Sequence, residues 1–207
     1  MIDLYTVATS NGQRASILLE ELALPYTVHK LNLPAGDHMK PDFLAINPNG
    51  MAPVIVDRDA PGGKPVTVFE CAAIGLYLAE KTGKLMPKDL AGRADVYKWL
   101  SVVVSNLGPA FTGQFLTKFS AKEKVPSVID IFEARAARFL KVLDQRLGEA
   151  KYLAGNEISI ADLIAYPSAT TSVQRLPDAV NGLKNLQRWV AELGARPAVQ
   201  KGMAVSS

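Results

Sequence analysis

The stretch from Asn47 to Ala73, NPNGMAPVIVDRDAPGGKPVTVFECAA, leaves the chain few choices. A proline at 53 introduces the β-rich run Val54–Val56, Pro61-Gly62-Gly63 supplies a compact turn, and Val66–Phe69 is a second β-rich run. Two such runs around a glycine turn predict an antiparallel hairpin. Pro53 follows the bend Pro48-Asn49-Gly50, a setting suited to the cis form of an X–Pro bond. Glu70 comes directly before a helix that opens at Cys71. A carboxylate beside an open helix N-terminus offers a zwitterion both partners: an anion for its ammonium and free N–H groups for its carboxylate. An α-amino acid head group has that chemistry.

The residues before the hairpin form a βαβ pattern. Ile2–Thr6 alternates as a strand, with Tyr5 reading as core. Thr9-Ser10-Asn11-Gly12 is a polar turn that also supplies a helix cap, and Arg14–Leu24 carries apolar residues at helical spacing up to Pro25. Tyr26–Leu33 is the second strand, and a helical crossover makes the two strands parallel. Pro41–Ile46 reads as a short helical turn, and Cys71–Thr82 as a helix ending near Gly83. A βαβ unit followed by ββα is the thioredoxin-like order, with a mixed four-stranded sheet.

No periodic pattern crosses 84–92, which carries Pro87 and Gly92 and predicts a linker between a domain at 1–83 and a second at 93–207. The second is all-helical. A long pattern over Arg93–Phe119 is expected to kink at Gly108-Pro109. Pro126–Leu147 presents Ile129, Phe132, Phe139, Val142 and Leu143 on one face. Ser159-Ile160-Ala161-Asp162 is a capping box ahead of an apolar helix. Leu183–Leu193 and a turn after Pro197 follow.

Composition removes several classes of function. A net charge of +3 spread over 207 residues gives no basic stripe for nucleic acid. No apolar run approaches the roughly 20 residues that span a bilayer. The opening Met1-Ile2-Asp3-Leu4 leads straight into a strand rather than a signal segment. A single cysteine forms no internal disulfide, so a reducing cytoplasm is expected. His29, His38 and Cys71 are too scattered for a metal site.

The pattern P-N-G-x-x-P-V-I, a turn, then F-E-C-x-A-I-x-x-Y-L resembles the glutathione-binding half of the cytosolic glutathione transferases. The opening MIDLYTVATSNG is most similar to their Nu-class, disulfide-reducing branch. The resemblance spans the whole chain and implies a homodimer with glutathione as co-substrate and no metal. It implies that Glu70 holds the γ-glutamyl amine, while the Cys71 N–H and side chain meet its carboxylate. Serine is usual at that position, and a thiol is the poorer donor. It further implies that Pro53 is cis and that the Ala52 backbone pairs with the cysteinyl unit as an added strand. His38 and Lys40 fall where the family meets the glycyl carboxylate; solvated loop residues are the other reading.

The turn that carries a CxxC motif in thioredoxin-type enzymes reads Thr9-Ser10-Asn11-Gly12, with no cysteine. On this resemblance the nucleophile is the sulfur of bound glutathione, activated by the Thr9 hydroxyl and the Asn11 amide, with Ser10 as competitor. Either residue also suits a plain helix cap. Cys71 is a rival nucleophile because helix N-termini depress thiol pKa values, but its place is at the far end of the ligand. In the helical domain the second peptide of the Nu class meets an arginine; the register here gives Ile131, with Arg135 one turn on. Phe111, Phe115, Phe119 and Tyr166 either line an electrophile site or fill the core. Disulfide reduction is the first expectation; the alternatives are conjugation of glutathione to small electrophiles and a non-catalytic binding or regulatory protein.

Overall fold

The computed structural model describes residues 1–205. The chain divides into two compact units, one of Met1–Lys84 with the segment from Gly194 onward, the other Leu85–Leu193. The first holds a four-stranded sheet of β1 (Ile2–Thr6), β2 (Tyr26–Lys30), β3 (Val54–Asp57) and β4 (Val66–Phe69), in the order β2-β1-β3-β4. β1 and β2 are parallel, joined by α1 (Ser10–Glu21), whereas β3, which follows the short α2 (Pro41–Ile46), is antiparallel to both β1 and β4. This is the thioredoxin-like arrangement expected from the element order. β3 is buried along its whole length, while the edge strands β2 and β4 are partly exposed.

Several boundaries differ from the sequence reading, one helix beginning at Leu90 inside the expected linker, and at two the local reason is plain. β2 stops at Lys30 rather than Leu33 because its partner β1 ends opposite it at Thr6; one further bond, Leu31 N–H to the Thr6 carbonyl at 2.9 Å, closes the ladder. α1 starts at Ser10 rather than Arg14, because Thr9 serves as its cap and draws the polar turn into the helix. A Cβ on Gly12 would lie 2.1 Å from the Val7 carbonyl oxygen, so only glycine lets the first turn of α1 press against the end of β1.

The C-terminal helix α10 (Pro197–Ala204), which the sequence places with the helical domain, covers α1 instead. Gly202 makes this possible, since a Cβ there would meet the Ile17 backbone at 2.5 Å. The Ser16 hydroxyl donates to the Gly202 carbonyl at 2.6 Å, Glu20 pairs with Lys201 at 2.8 Å, and Glu21 pairs with Arg196. On β3, the fully buried Asp57 accepts from the Tyr77 hydroxyl at 2.6 Å and pairs with Lys81, fastening the sheet to α3 (Cys71–Thr82).

The second unit is helical, as expected: α4 (Leu90–Val102), α5 (Gly108–Phe115), α6 (Pro126–Glu149), α7 (Ile160–Arg175), α8 (Pro177–Val180) and α9 (Lys184–Gly194). The Gly108-Pro109 step is absorbed by widened π turns at Val103–Leu107 and Leu116–Ser120. Gly108 N–H bonds the Val103 carbonyl, five residues back, so the register has already shifted where Pro109 offers no donor. α6 buries Ala136, Leu140, Leu143 and Leu147; the stripe anticipated through Phe132 and Phe139 is rotated, and those rings are half-buried.

Asp162 organises this unit. Its buried carboxylate accepts from Ser159 N–H (3.0 Å), Ser159 Oγ (2.9 Å), Leu153 N–H (2.9 Å) and Trp189 Nε1 (3.0 Å). One side chain thereby ties the start of α7 to the preceding loop and to α9. Burial pushes the Asp162 carboxyl up, and the four donors oppose that shift. Asp162→Ala strands buried donors that each cost about 1–3 kcal/mol. A loss of about 3 kcal/mol or more in unfolding free energy is expected, read from the urea midpoint.

Candidate active site

Strand polarity gathers four segments at one end of the sheet. Because β1 and β2 are parallel, Thr6 and Lys30 finish side by side. β3 begins at the same end, with Val54 opposite Tyr5, and β4 ends there, with Phe69 opposite Val54. The turn Val7–Thr9, the loop 31–40, the Ala52-Pro53 step and the Glu70-Cys71 helix start therefore share one edge. A groove of about 440 Å³ lies there, between Val7–Thr9 and Lys30–Pro34.

The Ala52–Pro53 peptide bond is cis. No turn or loop hydrogen bond among the described residues uses the Ala52 N–H or C=O, so both remain open to an extended ligand. Glu70 is exposed and holds the left-handed value φ 71°, with ψ 127°. For a residue other than glycine this is strain of about 1–3 kcal/mol, of a kind that collects at functional sites. Its carboxylate does not cap α3, whose first helical bond is Ile74 N–H to the Glu70 carbonyl at 2.9 Å. The amides of Cys71, Ala72 and Ala73 precede that bond, next to the carboxylate.

Cys71 departs from expectation in its side chain. Its thiol turns inward and donates to the Asn11 backbone carbonyl at 3.7 Å. Burial pushes the thiol pKa up, and the Arg14 guanidinium beside it offsets only part of that shift. An inward, protonated thiol suits neither a nucleophile nor a donor to a ligand.

The turn after β1 is built differently. Thr9 and Asn11 are exposed. Thr9 Oγ1 accepts from Gly12 N–H at 3.3 Å, which leaves its hydroxyl proton to be given elsewhere. Asn11 Oδ1 accepts from Arg14 Nη1 at 2.8 Å, and its Nδ2 donates to no group among the described residues. Each residue thus caps or braces with its acceptor and keeps a donor in reserve. Arg14 itself escaped the sequence reading. The available signal was a cation three residues after Asn11, at the head of the apolar run Ala15–Leu19.

On the neighbouring loop, the Lys40 ammonium pairs with Asp37 at 2.6 Å and holds that carboxyl below the usual range. Asp37 also accepts from Asn32 N–H at 2.7 Å, which pins the groove wall. His38 is half-buried, with Nδ1 buried and unpaired among the described residues. Within the helical unit, Arg135 is exposed on α6 and Ile131, one turn earlier, is 56% exposed. Phe111 is half-buried on α5. Tyr166 lies in the core, its ring 6.2 Å from that of Trp189. Phe115 and Phe119 are exposed, and the Arg175 guanidinium sits 5.5 and 5.3 Å from their rings. Among the described residues no group of side chains is arranged to hold a metal ion, and no helix is long and apolar enough to cross a membrane.

A thioredoxin-like unit that offers a cis-proline edge, a carboxylate beside an open helix start and a cysteine-free turn, followed by a helical unit, defines a transferase architecture. The chain belongs to the glutathione S-transferase family. Residues 9–81 match the family's N-terminal domain and 109–197 its C-terminal domain. It is 34% identical over 204 residues to the disulfide-bond oxidoreductase YfcG of Escherichia coli, covering 98% of this chain and 94% of that protein. Its identity to the disulfide-bond oxidoreductase YghU of the same organism is 35% over 218 residues, covering 99% and 75%. These relatives bear out the expected Nu-class affinity. Among solved structures, a glutathione transferase from Pseudomonas putida with one glutathione disulfide bound per subunit superposes with TM-score 0.94 at 34% identity, covering 100% and 92%. One from Burkholderia graminis with two glutathione molecules per subunit gives 0.92 at 37%, covering 99% and 88%.

The inward thiol has a measurable consequence. At pH 7 native Cys71 is expected to react with an aromatic disulfide reagent at least about tenfold more slowly than in the urea-unfolded chain, because burial hides it and keeps it protonated. Folding favours the protonated thiol, so this residue's contribution to stability declines as pH rises above about 8.5, where the unfolded chain releases its proton first.

Proposed function

We propose that the chain is a glutathione-dependent disulfide reductase whose reactive sulfur belongs to bound glutathione. The observation that carries this reading is the Thr9–Asn11 turn: it holds two unused donors where a thioredoxin-like fold would place cysteines. The protein's single cysteine is meanwhile buried, and that burial pushes its thiol pKa up.

In this reading Glu70 takes the γ-glutamyl ammonium and the first amides of α3 its carboxylate. The Ala52 N–H and C=O pair with the cysteinyl unit, which the cis Pro53 leaves open to an added strand. His38 and Lys40 flank the glycyl end. The sulfur comes to the Thr9 hydroxyl and the Asn11 amide. A free thiol near pKa 8.5 is only a few per cent thiolate at neutral pH. Hydrogen bonds to a charged partner are worth about 1.5–3 kcal/mol, and about 2.7 kcal/mol lowers the pKa by two units, so two donors suffice.

The thiolate attacks one sulfur of the substrate disulfide. A new S–S bond forms, the old one breaks, and the leaving thiolate takes up a proton. Attack by a second glutathione thiolate on the mixed disulfide releases the other substrate thiol and oxidised glutathione. Two thiols are oxidised for each disulfide reduced. The second peptide or the electrophile is assigned to the helical domain, where exposed Arg135 and half-buried Phe111 remain candidates. Tyr166, in the core, serves as support. The active species on this reading is a cytoplasmic homodimer.

Turnover of hydroxyethyl disulfide is expected to exceed that of a chlorodinitrobenzene electrophile; the reverse order makes conjugation the main activity. Thr9→Ala and Asn11→Ala are each expected to move the pH midpoint of disulfide reduction up by about 1–2 units. Unmoved midpoints in both would remove the thiol assignment, and glutathione binding without turnover would make this a binding protein.

A further inference from the structure

We infer that Arg14 is a positioning residue that commits the Asn11 amide to donate toward the substrate sulfur. This rests on the glutathione reading above. Arg14 is buried, at 5% exposure, on the inner face of α1, and its Nη1 lies 2.8 Å from Asn11 Oδ1. A guanidinium has donors only, so the atom of Asn11 that faces it must be the carbonyl oxygen. The amide nitrogen is thereby turned outward, and the usual freedom of an asparagine to present either end is lost. The direction matters because the two ends act oppositely on a thiolate: N–H groups stabilise the anion and a carbonyl oxygen repels it.

The same cation reaches a second part of the site. It lies beside the Cys71 thiol at the start of α3, and that thiol donates to the backbone carbonyl of Asn11, not to Oδ1. Asn11, Arg14 and Cys71 together join the first turn of α1 to the first residue of α3. The donor assigned to the sulfur and the amides assigned to the amino-acid end of glutathione therefore share one buried brace. An apolar residue of similar length would fill the space with less desolvation. It would leave Asn11 free to turn its oxygen outward.

The test titrates the thiolate absorbance of glutathione bound at saturation to the full-length protein, with the pH profile of disulfide reduction alongside. Asn11→Ala and Arg14→Met are each expected to raise the thiol midpoint by about 1–2 pH units. The double variant is expected to rise no further than the larger single shift, because Arg14 acts through Asn11. Arg14→Lys, which keeps a donor to Oδ1 but not the planar fork, should recover part of the shift. If circular dichroism shows Arg14→Met unfolded, Arg14→Gln takes its place: it hydrogen-bonds Asn11 with either end and so no longer dictates the flip. A wild-type midpoint in the folded Arg14 variants, or shifts that add in the double variant, overturns the inference. Where Asn11→Ala alone leaves the midpoint unmoved, or wild-type protein binds no glutathione, the functional reading fails and takes this one with it.

Discussion

The parallel pairing of β1 with β2 is the constraint on which the rest of the structure depends. A helical crossover returns the chain to the same side, so both strands end at one edge, at Thr6 and Lys30. Antiparallel β3 and β4 then begin and end there without further choice. Four segments distant in sequence meet because hydrogen-bond direction requires it. Gly12 and Gly202 make the arrangement compact, one letting α1 press on the turn after β1 and the other letting α10 brace α1 from behind. On the proposed reading the loops at this edge carry the chemistry while the strands and helices behind them carry the packing.

The polar groups at that edge follow a common logic. Thr9, Asn11 and the start of α3 each satisfy their structural duties with part of their hydrogen-bonding capacity and hold the rest outward. Donors dominate: a hydroxyl, an amide and helix amides, beside the Glu70 carboxylate and an Asp37 carboxylate already paired with Lys40. Such an edge suits a ligand with three anionic groups and one ammonium, which is the charge pattern of glutathione with an ionised thiol. On the proposed reading the protein supplies electrostatic direction and the tripeptide supplies the sulfur. Cys71 agrees with that division, since its thiol is spent inward on the Asn11 carbonyl.

Much of this was legible in the chain because its punctuation is local. Pro53, Pro61-Gly62-Gly63 and the Ser159–Asp162 box act through backbone geometry within a few residues, and their consequences appear where expected. The parallel β1–β2 pair and the antiparallel β3–β4 hairpin followed from the helical crossover and the short glycine turn. What escaped depends on contacts between remote residues. The inward turn of Cys71 is set by Arg14 and by Asn11, the latter sixty positions away. The docking of α10 is set by one glycine against Ile17, and the rotated face of α6 by its neighbours rather than its own period. The π turns around α5 are a collective solution to Pro109 that no single residue announces.

The central claim is that the reactive sulfur belongs to the ligand and sits at the turn after β1. A crystal structure with oxidised glutathione bound tests it most directly. The account requires a glutathione sulfur within hydrogen-bonding distance of Thr9 Oγ1 or Asn11 Nδ2, with the γ-glutamyl end at Glu70. A sulfur lying instead against Cys71, or density for the peptide away from the edge formed by Thr9, Ala52 and Glu70, would contradict it.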